Sequence, residues 1–257
     1  MMPQPTPNQT PEHPLSDNPG FSDGEDDSAE PPSARQRKST WWGRLMDRLR
    51  PDRLIERPPL IYRLLFTEGM WRYKRRGRKV VYLTFDDGPI PEETPWVLDL
   101  LDREGVKATF FMVGDNVRRH PHLLEEVKRR GHSYGNHTMH HLQGLKEGNA
   151  RYFRDILEAD SLIDSSLFRP PHGIVWPGQA RLIRKHYNIA MYDLVTRDYS
   201  CRVDGRRVLD NVKHLARNGS IIVFHDSIKA HANMRYALPR AIHWLKENGF
   251  EFDVLPM

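Results

Sequence analysis

The sequence from residue 79 onward predicts an α/β fold made of parallel β-α-β units. Apolar, β-rich runs alternate there with stretches of helical periodicity, as βαβ units require. Most of the predicted helices also end close to a glycine that precedes the next apolar run; these glycines are Gly105, Gly131, Gly219 and Gly249. Polar residues follow several of the predicted strands. In a parallel barrel the active groups gather at the carboxyl ends of the strands, so these residues are expected to meet at one face.

Seven strands are predicted in chain order. They cover residues 80–85, 108–113, 132–136, 167–170, 189–195, 220–224 and 250–255. Six predicted helices alternate with them and cover residues 92–104, 123–130, 151–163, 179–186, 208–217 and 236–247. The runs at 80–85 and 220–224 are the strongest strand signals because they are almost continuously apolar. An alternation of this kind predicts one parallel sheet covered by helices.

Charge divides the chain into three parts. Residues 1–34 carry seven acidic residues and no Lys or Arg, and eight prolines fall within the first 32 residues. A stretch of this composition cannot bury enough apolar surface to fold, so residues 1–38 are predicted to be a disordered tail. Residues 39–78 are predicted to be a basic linker, and residues 79–257 the folded domain. The domain is close to neutral, with 24 basic and 23 acidic residues from 80 to 257, which argues against nucleic-acid binding by the domain.

An amphipathic segment lies in the basic linker at residues 41–50. Its apolar residues Trp41, Trp42, Leu45, Met46 and Leu49 fall on one helical face. Two interpretations stay open for this segment: peripheral contact with an anionic membrane, or a short helix that docks on the domain or on a partner. A third possibility is that the chain starts later, at Met46 or Met70.

Neither a secretory signal nor a transmembrane run is visible in the sequence. The expected location is therefore cytoplasmic or peripheral to the membrane. The single cysteine, Cys201, excludes an intramolecular disulfide.

Two adjacent carboxylates end the first predicted strand, in the sequence Thr84-Phe85-Asp86-Asp87-Gly88-Pro89. Neighbouring side chains that leave a strand point in different directions, so one carboxylate is free to bind a metal while the other faces a water. His137 and His141 lie four residues apart, the spacing of two-histidine metal sites on a helix. With one carboxylate they form a set that leaves metal positions open for water and substrate. On spacing alone His140 is a rival ligand.

Three further polar residues follow later strands. Arg169 lies before a stiff Pro-Pro turn, where a permanent cation can hold a carboxylate in one orientation. Asp198 follows the run that ends at residue 195, and His225 ends the apolar run Ile221–Phe224. A histidine that emerges from the core at a strand end is suited to general acid catalysis.

Together these motifs resemble the polysaccharide deacetylase family with the NodB homology fold, carbohydrate esterase family 4. The resemblance covers roughly residues 80–255 and involves five motifs in the family order. It implies a distorted (β/α)7-type barrel and a metal-dependent hydrolase that removes N-acetyl groups from a sugar or polysaccharide. The metal implied is divalent and typically zinc, with cobalt or nickel as substitutes, and the implied partner is an N-acetylated glycan.

The resemblance also implies a role for each site residue. Asp86 matches the catalytic base, and Asp87, His137 and His141 match the metal ligands. Arg169 matches the residue that holds the base, and Asp198 the residue that orients the catalytic acid, His225. The sequence departs from the family pattern at three positions, His172, Tyr199 and Val223, and these departures concern the substrate groove.

Three other interpretations of function stay open on the sequence alone. The first is hydrolysis of a non-sugar amide by the same metal site. The second is a non-catalytic carbohydrate-binding descendant, although none of the expected site residues has been lost. The third is that the main function lies in residues 1–78, which would contact a membrane or a partner, with the domain as their cargo.

Overall fold

The computed structural model describes residues 56–257, so the predictions for residues 1–38 and for the amphipathic segment 41–50 lie outside the described residues. Eight α-helices are present in the described part of the chain: α1 Leu60–Leu65, α2 Thr94–Arg103, α3 Gly114–Arg119, α4 Pro121–Arg129, α5 Asn149–Ile163, α6 Pro177–Ile183, α7 Gly205–Leu215 and α8 His231–Glu247. Eight strands accompany them: β1 Val80–Asp86, β2 Thr109–Met112, β3 Ser133–Asn136, β4 Leu167–Phe168, β5 Asn188–Ile189, β6 Leu194–Val195, β7 Ile221–His225 and β8 Glu251–Phe252. Two short 3-10 helices cover Pro171–Gly173 and Ile228–Ala230.

The strands form one sheet in the order β5-β4-β3-β2-β1-β7-β6, and β8 pairs with β1 beside this path. Every strand pairing in the described chain is parallel. The sheet curls into an incomplete barrel with helices outside it, which confirms the predicted distorted (β/α)7-type, NodB-like fold. Because all strands run in the same direction, their carboxyl ends open on one face.

Alternation along β1 explains how polar groups come to lie inside the barrel. Val81, Leu83 and Phe85 belong to the large cluster that packs against the helices. Val80 and Tyr82 point to the opposite, inner side and pack in a second cluster. Side chains two residues apart share a face, so Thr84 and Asp86 continue the inner row toward the carboxyl end of the strand. In β7, the same alternation places Ile221, Val223 and His225 in one row.

Residues 66–73 lie beside the sheet and form isolated bridges with two parts of it. Met70 forms a parallel bridge with Ala190, and Arg72 forms an antiparallel bridge with Ser220. Phe66 is buried with Ile189 and Met191, and Trp71 packs against the same cluster. This part of the predicted basic linker therefore lies against the domain.

The predicted strand 189–195 is two short strands, β5 and β6, separated by residues 190–193. The two strands lie at opposite ends of the sheet, where β5 pairs with β4 and β6 pairs with β7, so the chain crosses between them at residues 190–193. The guanidinium of Arg169 binds this crossing. Its Nε donates to the carbonyl of Ala190 at 3.1 Å, and one of its terminal nitrogens donates to the carbonyl of Met191 at 3.0 Å. Arg169 therefore holds the segment that passes from one end of the sheet to the other.

Two helices were not predicted from the sequence, α1 and α3. Each is only six residues long, and α3 buries just Gly114 and Val117. An element of this length does not repeat its apolar positions often enough to show helical periodicity. Within residues 56–257, no helix has both the length and the apolar character needed to cross a bilayer.

Candidate active site

Three side chains of the types that bind metal ions meet at the carboxyl ends of the strands. Single donor atoms of Asp87, His137 and His141 all lie within 4.8 Å of one another. An oxygen of Asp87 is 3.2 Å from Nε2 of His141 and 3.8 Å from Nε2 of His137. The set of one carboxylate and two imidazoles predicted from the sequence is therefore brought together.

The two histidines do not meet on a helix. His137 follows β3 directly, and the chain from 137 to 141 is a loop with left-handed backbone at Thr138 (φ 64°) and His141 (φ 55°). These turns bring the two rings to a centroid distance of 5.0 Å. The four-residue spacing indicated two histidines whose rings do lie together, but the local structure that joins them is a loop and not the helical turn considered.

His137 is held in a form that can bind a cation. Its Nδ1 lies 2.7 Å from the carbonyl oxygen of Arg169, so Nδ1 carries the proton and donates, and Nε2 presents its lone pair to the carboxylate. Burial lowers the pKa of His137 to about 4, which keeps the ring neutral. Burial alone would raise the pKa of Asp87, but the hydrogen bond with His141 and the charge of His225 hold it below its usual range.

His140, the rival ligand on spacing alone, belongs to a different contact. Its Nδ1 lies 2.6 Å from Asp155, and the backbone N–H groups of Met139 and His140 donate to the other oxygen of that carboxylate. Asp155 is buried and lies on α5. His140 is thus outside the group formed by Asp87, His137 and His141.

Asp86 is held by a buried arginine from the far side of the sheet. One terminal nitrogen of Arg169 donates to Asp86 at 2.6 Å and to the hydroxyl of Thr84 at 2.8 Å. The guanidinium also lies over the ring of Phe111, 4.0 Å from its centroid. Arg169 is 1% exposed, so its charge and its planar donors hold Asp86 in one orientation. The two adjacent carboxylates accordingly have different partners.

His225 forms a second charged pair with Asp198. Nδ1 of His225 lies 2.8 Å from one oxygen of Asp198, and the backbone N–H of His225 donates to the other oxygen at 2.8 Å. Burial lowers the pKa of His225, but the charge and hydrogen bond of the fully buried Asp198 outweigh this and raise it to about 9. Tyr199 packs edge-on against the imidazole with a centroid distance of 4.7 Å.

These groups line one cleft of about 470 Å³. Its walls include Asp86, Asp87, His137, His141 and His225, together with the three positions that depart from the family pattern, His172, Tyr199 and Val223. Gly173, Tyr192, Val195 and Lys229 complete the lining. Arg169 and Asp198 lie behind the cleft wall, each bonded to a residue that lines it.

Three wall or supporting residues were not singled out from the sequence. Tyr192 and Lys229 line the cleft. Tyr62, on α1, donates a hydrogen bond of 2.6 Å to the carbonyl of Gly173. Tyr62 and Tyr192 looked like ordinary aromatic residues of apolar stretches, and no local spacing connected either of them to the motifs.

Asp226 is a further buried group below the cleft. Its carboxyl accepts a hydrogen bond of 2.5 Å from the hydroxyl of Thr94. It also touches the turn after Asp87, because a Cβ added to Gly88 would lie 2.2 Å from an oxygen of Asp226. Burial raises the pKa of Asp226 to about 8 against the lowering effect of the Thr94 hydrogen bond. The carboxyl is therefore mostly protonated at neutral pH.

Left-handed backbone is concentrated at this end of the barrel. Of the residues from 56 to 257, six non-glycine residues have positive φ, and five of them lie in or beside the motifs of the site: Asp87, Thr138, His141, His172 and Arg197. Such conformations cost of order 1–3 kcal/mol each and persist where the surrounding structure fixes them. Their grouping here is the pattern expected of a functional site.

A parallel barrel with a carboxylate–histidine cluster and a second acid–base pair at its strand ends has the architecture of a hydrolase. Comparison with known proteins gives the family. The family model described as polysaccharide deacetylase matches residues 73–192. A peptidoglycan-N-acetylglucosamine deacetylase of Bacillus cereus is 33% identical over 189 residues, which cover 68% of this chain and 86% of the relative.

A chitooligosaccharide deacetylase of Sinorhizobium fredii is 35% identical over 199 residues, which cover 70% of this chain and 92% of the relative. Among solved structures, a peptidoglycan N-acetylglucosamine deacetylase in complex with 4-naphthalen-1-yl-N-oxidanyl-benzamide superposes with a TM-score of 0.67 at 30% identity, over 71% of this chain and 89% of that one. The chain belongs to the polysaccharide deacetylase family.

Proposed function

We propose that this protein is a metal-dependent hydrolase that removes N-acetyl groups from a glycan containing N-acetylglucosamine. The observation that carries the proposal is that two adjacent carboxylates in one cleft have different partners. Asp87 faces two imidazoles, whereas Asp86 is held by Arg169 and faces the cleft beside them. The deacetylases named above supply the substrate class, because they act on N-acetylglucosamine units.

The residues present fit a divalent metal, which we propose to be zinc, with cobalt or nickel as substitutes. Asp87, His137 and His141 would hold it through one oxygen and two nitrogens, a donor set that suits these ions and leaves positions open. The carbonyl of Arg169 fixes the ring orientation of His137, as outer hydrogen bonds do in metal sites. When bound, the ion polarises a carbonyl and makes water a better nucleophile.

In this proposal Asp86 is the general base. It lines the cleft and cannot rotate freely because Arg169 holds one of its oxygens. The other oxygen is then left to accept a proton from the water that attacks the acetyl carbonyl. A positioned base or acid of this kind typically contributes ~100- to 10,000-fold to the rate.

His225 is the general acid of the proposal. An amine leaves poorly unless it is protonated, so the reaction needs a proton donor on the side of the sugar nitrogen. The raised pKa of about 9 keeps His225 charged at neutral pH, and Asp198 directs its Nε2 side away from the strand by holding Nδ1. A bound cation would remove the contribution that the Asp87 charge makes to this pKa, but the effect of Asp198 would remain.

Developing charge on the acetyl oxygen also needs stabilisation. The turn at His172 has φ 59° and borders the cleft. We propose that an N–H of this turn contributes a hydrogen bond to the oxyanion. Removing one such donor typically costs about 3–4 kcal/mol.

The experiment that tests this function is acetate release from a panel of N-acetylated glycans. The full chain, stripped with a chelator, is assayed on chitin oligomers, peptidoglycan and single N-acetylglucosamine, each with zinc, cobalt or nickel added back. Metal-dependent acetate release from at least one N-acetylglucosamine polymer or oligomer is expected. Ring opening of a cyclic amide, or ammonia release from a primary amide, without acetate release from any glycan would support the non-sugar amide alternative and overturn the proposal.

A further inference from the structure

Helix α1 (Leu60–Leu65) has an unusual distribution of side chains. Its four large apolar residues Leu60, Ile61, Leu64 and Leu65 are 61–72% exposed, and none of its residues is buried. Its polar residues Tyr62 and Arg63 point inward instead, to Gly173 and Asp193. A surface helix normally turns its apolar side to the core and its charged side to water. We call the four exposed apolar residues the α1 surface.

The other exposed large apolar residues of the described chain do not form a comparable group on one short helix. Leu157, Leu182 and Ile228, for example, lie on three different elements. Single exposed apolar side chains are normal, whereas a contiguous group marks an interaction site. The α1 surface is therefore the feature of residues 56–257 that most needs a partner.

A cluster of four arginines adjoins the inner side of this helix. Arg217 lies 2.6 Å from the buried carboxylate of Asp193 and Arg63 lies 2.9 Å from it, while Arg57 and Arg72 each lie 4.0 Å away. One carboxylate neutralises one positive charge, so this arginine cluster keeps an excess of positive charge. Burial and the neighbouring guanidinium charges lower the pKa of Arg57 and of Arg72, although the charge of Asp193 acts in the opposite direction.

The whole stretch around the helix is basic as well. Residues 56–79 contain eight Lys or Arg residues and two Glu residues. Exposed apolar side chains within a basic stretch match the two layers of an anionic membrane surface, which offers negative headgroups above an apolar interior. A second copy of this chain would bring two basic stretches together and is disfavoured by their charge. The preceding segment 41–50 is itself basic and is disfavoured as a cover for the same reason.

We propose that the α1 surface and the arginine cluster form a docking site for a bilayer that contains anionic phospholipids. Leu60, Ile61, Leu64 and Leu65 enter the boundary between headgroups and acyl chains. The arginines attract the headgroup phosphates. Docking through α1 also fixes the helix that carries Tyr62, whose hydroxyl holds the carbonyl of Gly173 in the cleft wall.

The test is co-sedimentation of the full chain with vesicles. One set of vesicles is made of phosphatidylcholine alone, and the other contains about one third phosphatidylglycerol. The variant Leu64→Ser with Leu65→Ser removes half of the α1 surface. The matched control is Leu157→Ser with Leu182→Ser, which removes two leucines that are also exposed (64% and 45%) but lie on other helices.

We expect the wild-type chain and the control to sediment with the anionic vesicles, and to do so less as the salt concentration rises. The Leu64/Leu65 variant should bind about tenfold less while keeping the circular dichroism spectrum and molecular mass of the wild type.

Three outcomes would overturn the proposal. One is wild-type binding that is absent or equal on neutral vesicles. Another is an unchanged affinity in the Leu64/Leu65 variant, which would place any contact in residues 1–55 or elsewhere. The third is a wild-type dimer that the Leu64/Leu65 variant converts to a monomer, which would identify a second copy as the partner.

Discussion

Arg169 donates a hydrogen bond of 2.6 Å to Asp86 across the interior of the barrel, from a position that is 1% exposed. The same guanidinium binds the hydroxyl of Thr84 and the carbonyls of Ala190 and Met191. One side chain thus joins β1, the turn after β4 and the break between β5 and β6. The orientation of the proposed base and the shape of the sheet depend on the same group.

Replacing Arg169 with methionine should destabilise the protein strongly, because it leaves the carboxylate of Asp86 without its cation in a largely buried place. Breaking a buried pair of this kind costs about 3–5 kcal/mol. Adding Asp86→Asn to Arg169→Met should recover part of that loss, and urea unfolding of the two single variants and the double variant measures the coupling. The control Arg151→Met, at an exposed ion pair with Glu147, should change the free energy of unfolding by less than about 1 kcal/mol. Independent, additive effects of Arg169→Met and Asp86→Asn would contradict the pairing.

The pH profile should depend on Asp198. As a general acid, His225 must be protonated, so activity is expected to fall as pH rises through its raised pKa. Asp198→Asn removes the charge that raises this pKa and should move the alkaline limb of kcat/KM to lower pH, toward the ordinary histidine value of about 6.5. Activity at pH 6 should be reduced less than activity at pH 8. An alkaline limb that stays in place in Asp198→Asn would exclude His225 as the group that titrates.

Gly173 in the cleft wall should not tolerate a side chain. Its φ is 66°, and an added Cβ would lie 2.4 Å from the hydroxyl oxygen of Tyr192. Gly105 has a similar φ of 61° but open space around its Cβ position, which makes Gly105→Ala the matched control. Both substitutions should cost about 1 kcal/mol of unfolding free energy from backbone strain. Only Gly173→Ala should also lower kcat/KM, by about tenfold or more, because Tyr192 and the His172 turn must move. Equal kcat/KM values for the two variants would show that the packing of Gly173 against Tyr192 does not affect catalysis.

Asp226 should make the protein less stable as pH rises toward 8. Its pKa is raised to about 8 in the folded state and is near 3.9 in the unfolded chain, so the folded state holds a proton that the unfolded state has lost between these values. The stability that Asp226 contributes is fully present below its pKa in the unfolded chain. It is lost as pH rises through its pKa in the folded protein. Asp226→Asn removes the titration, so unfolding free energy should fall between pH 5 and 8 by at least about 1 kcal/mol more in the wild type than in the variant. Parallel curves for the two proteins would mean that Asp226 is ionised when folded.

Much of the site was predictable because its chemistry lies at strand ends. The apolar runs located β1 and β7, and the polar residues that end them, Asp86 and His225, could be placed at one face from topology alone. Donor type and spacing indicated His137, His141 and one of the two adjacent carboxylates, with His140 as a rival. The resemblance to the family singled out Asp87, His137 and His141. Recognition of the family came from five such motifs in order, and the comparisons confirm it.

Other features depend on contacts that no local pattern contains. The loop that joins His137 to His141 uses left-handed residues that spacing does not reveal. The division of residues 188–195 into β5 and β6 follows from their pairing with β4 and β7 at opposite ends of the sheet, which no local pattern contains. Tyr62 reaches the cleft wall from a six-residue helix too short to show periodicity. Long-range hydrogen bonds of this kind become visible only when the chain is folded.

The most direct test of the proposed division between the two carboxylates measures zinc content and acetate release on the same samples. Wild type, Asp86→Asn and Asp87→Asn are stripped with a chelator, reconstituted with zinc, desalted and assayed on N-acetylglucosamine oligomers. The wild type should bind zinc and release acetate, and Asp86→Asn should keep its zinc but lose ~100- to 10,000-fold in rate. Asp87→Asn should lose both. A wild type that binds no zinc, or an Asp86→Asn variant that releases acetate at the wild-type rate, would contradict the account.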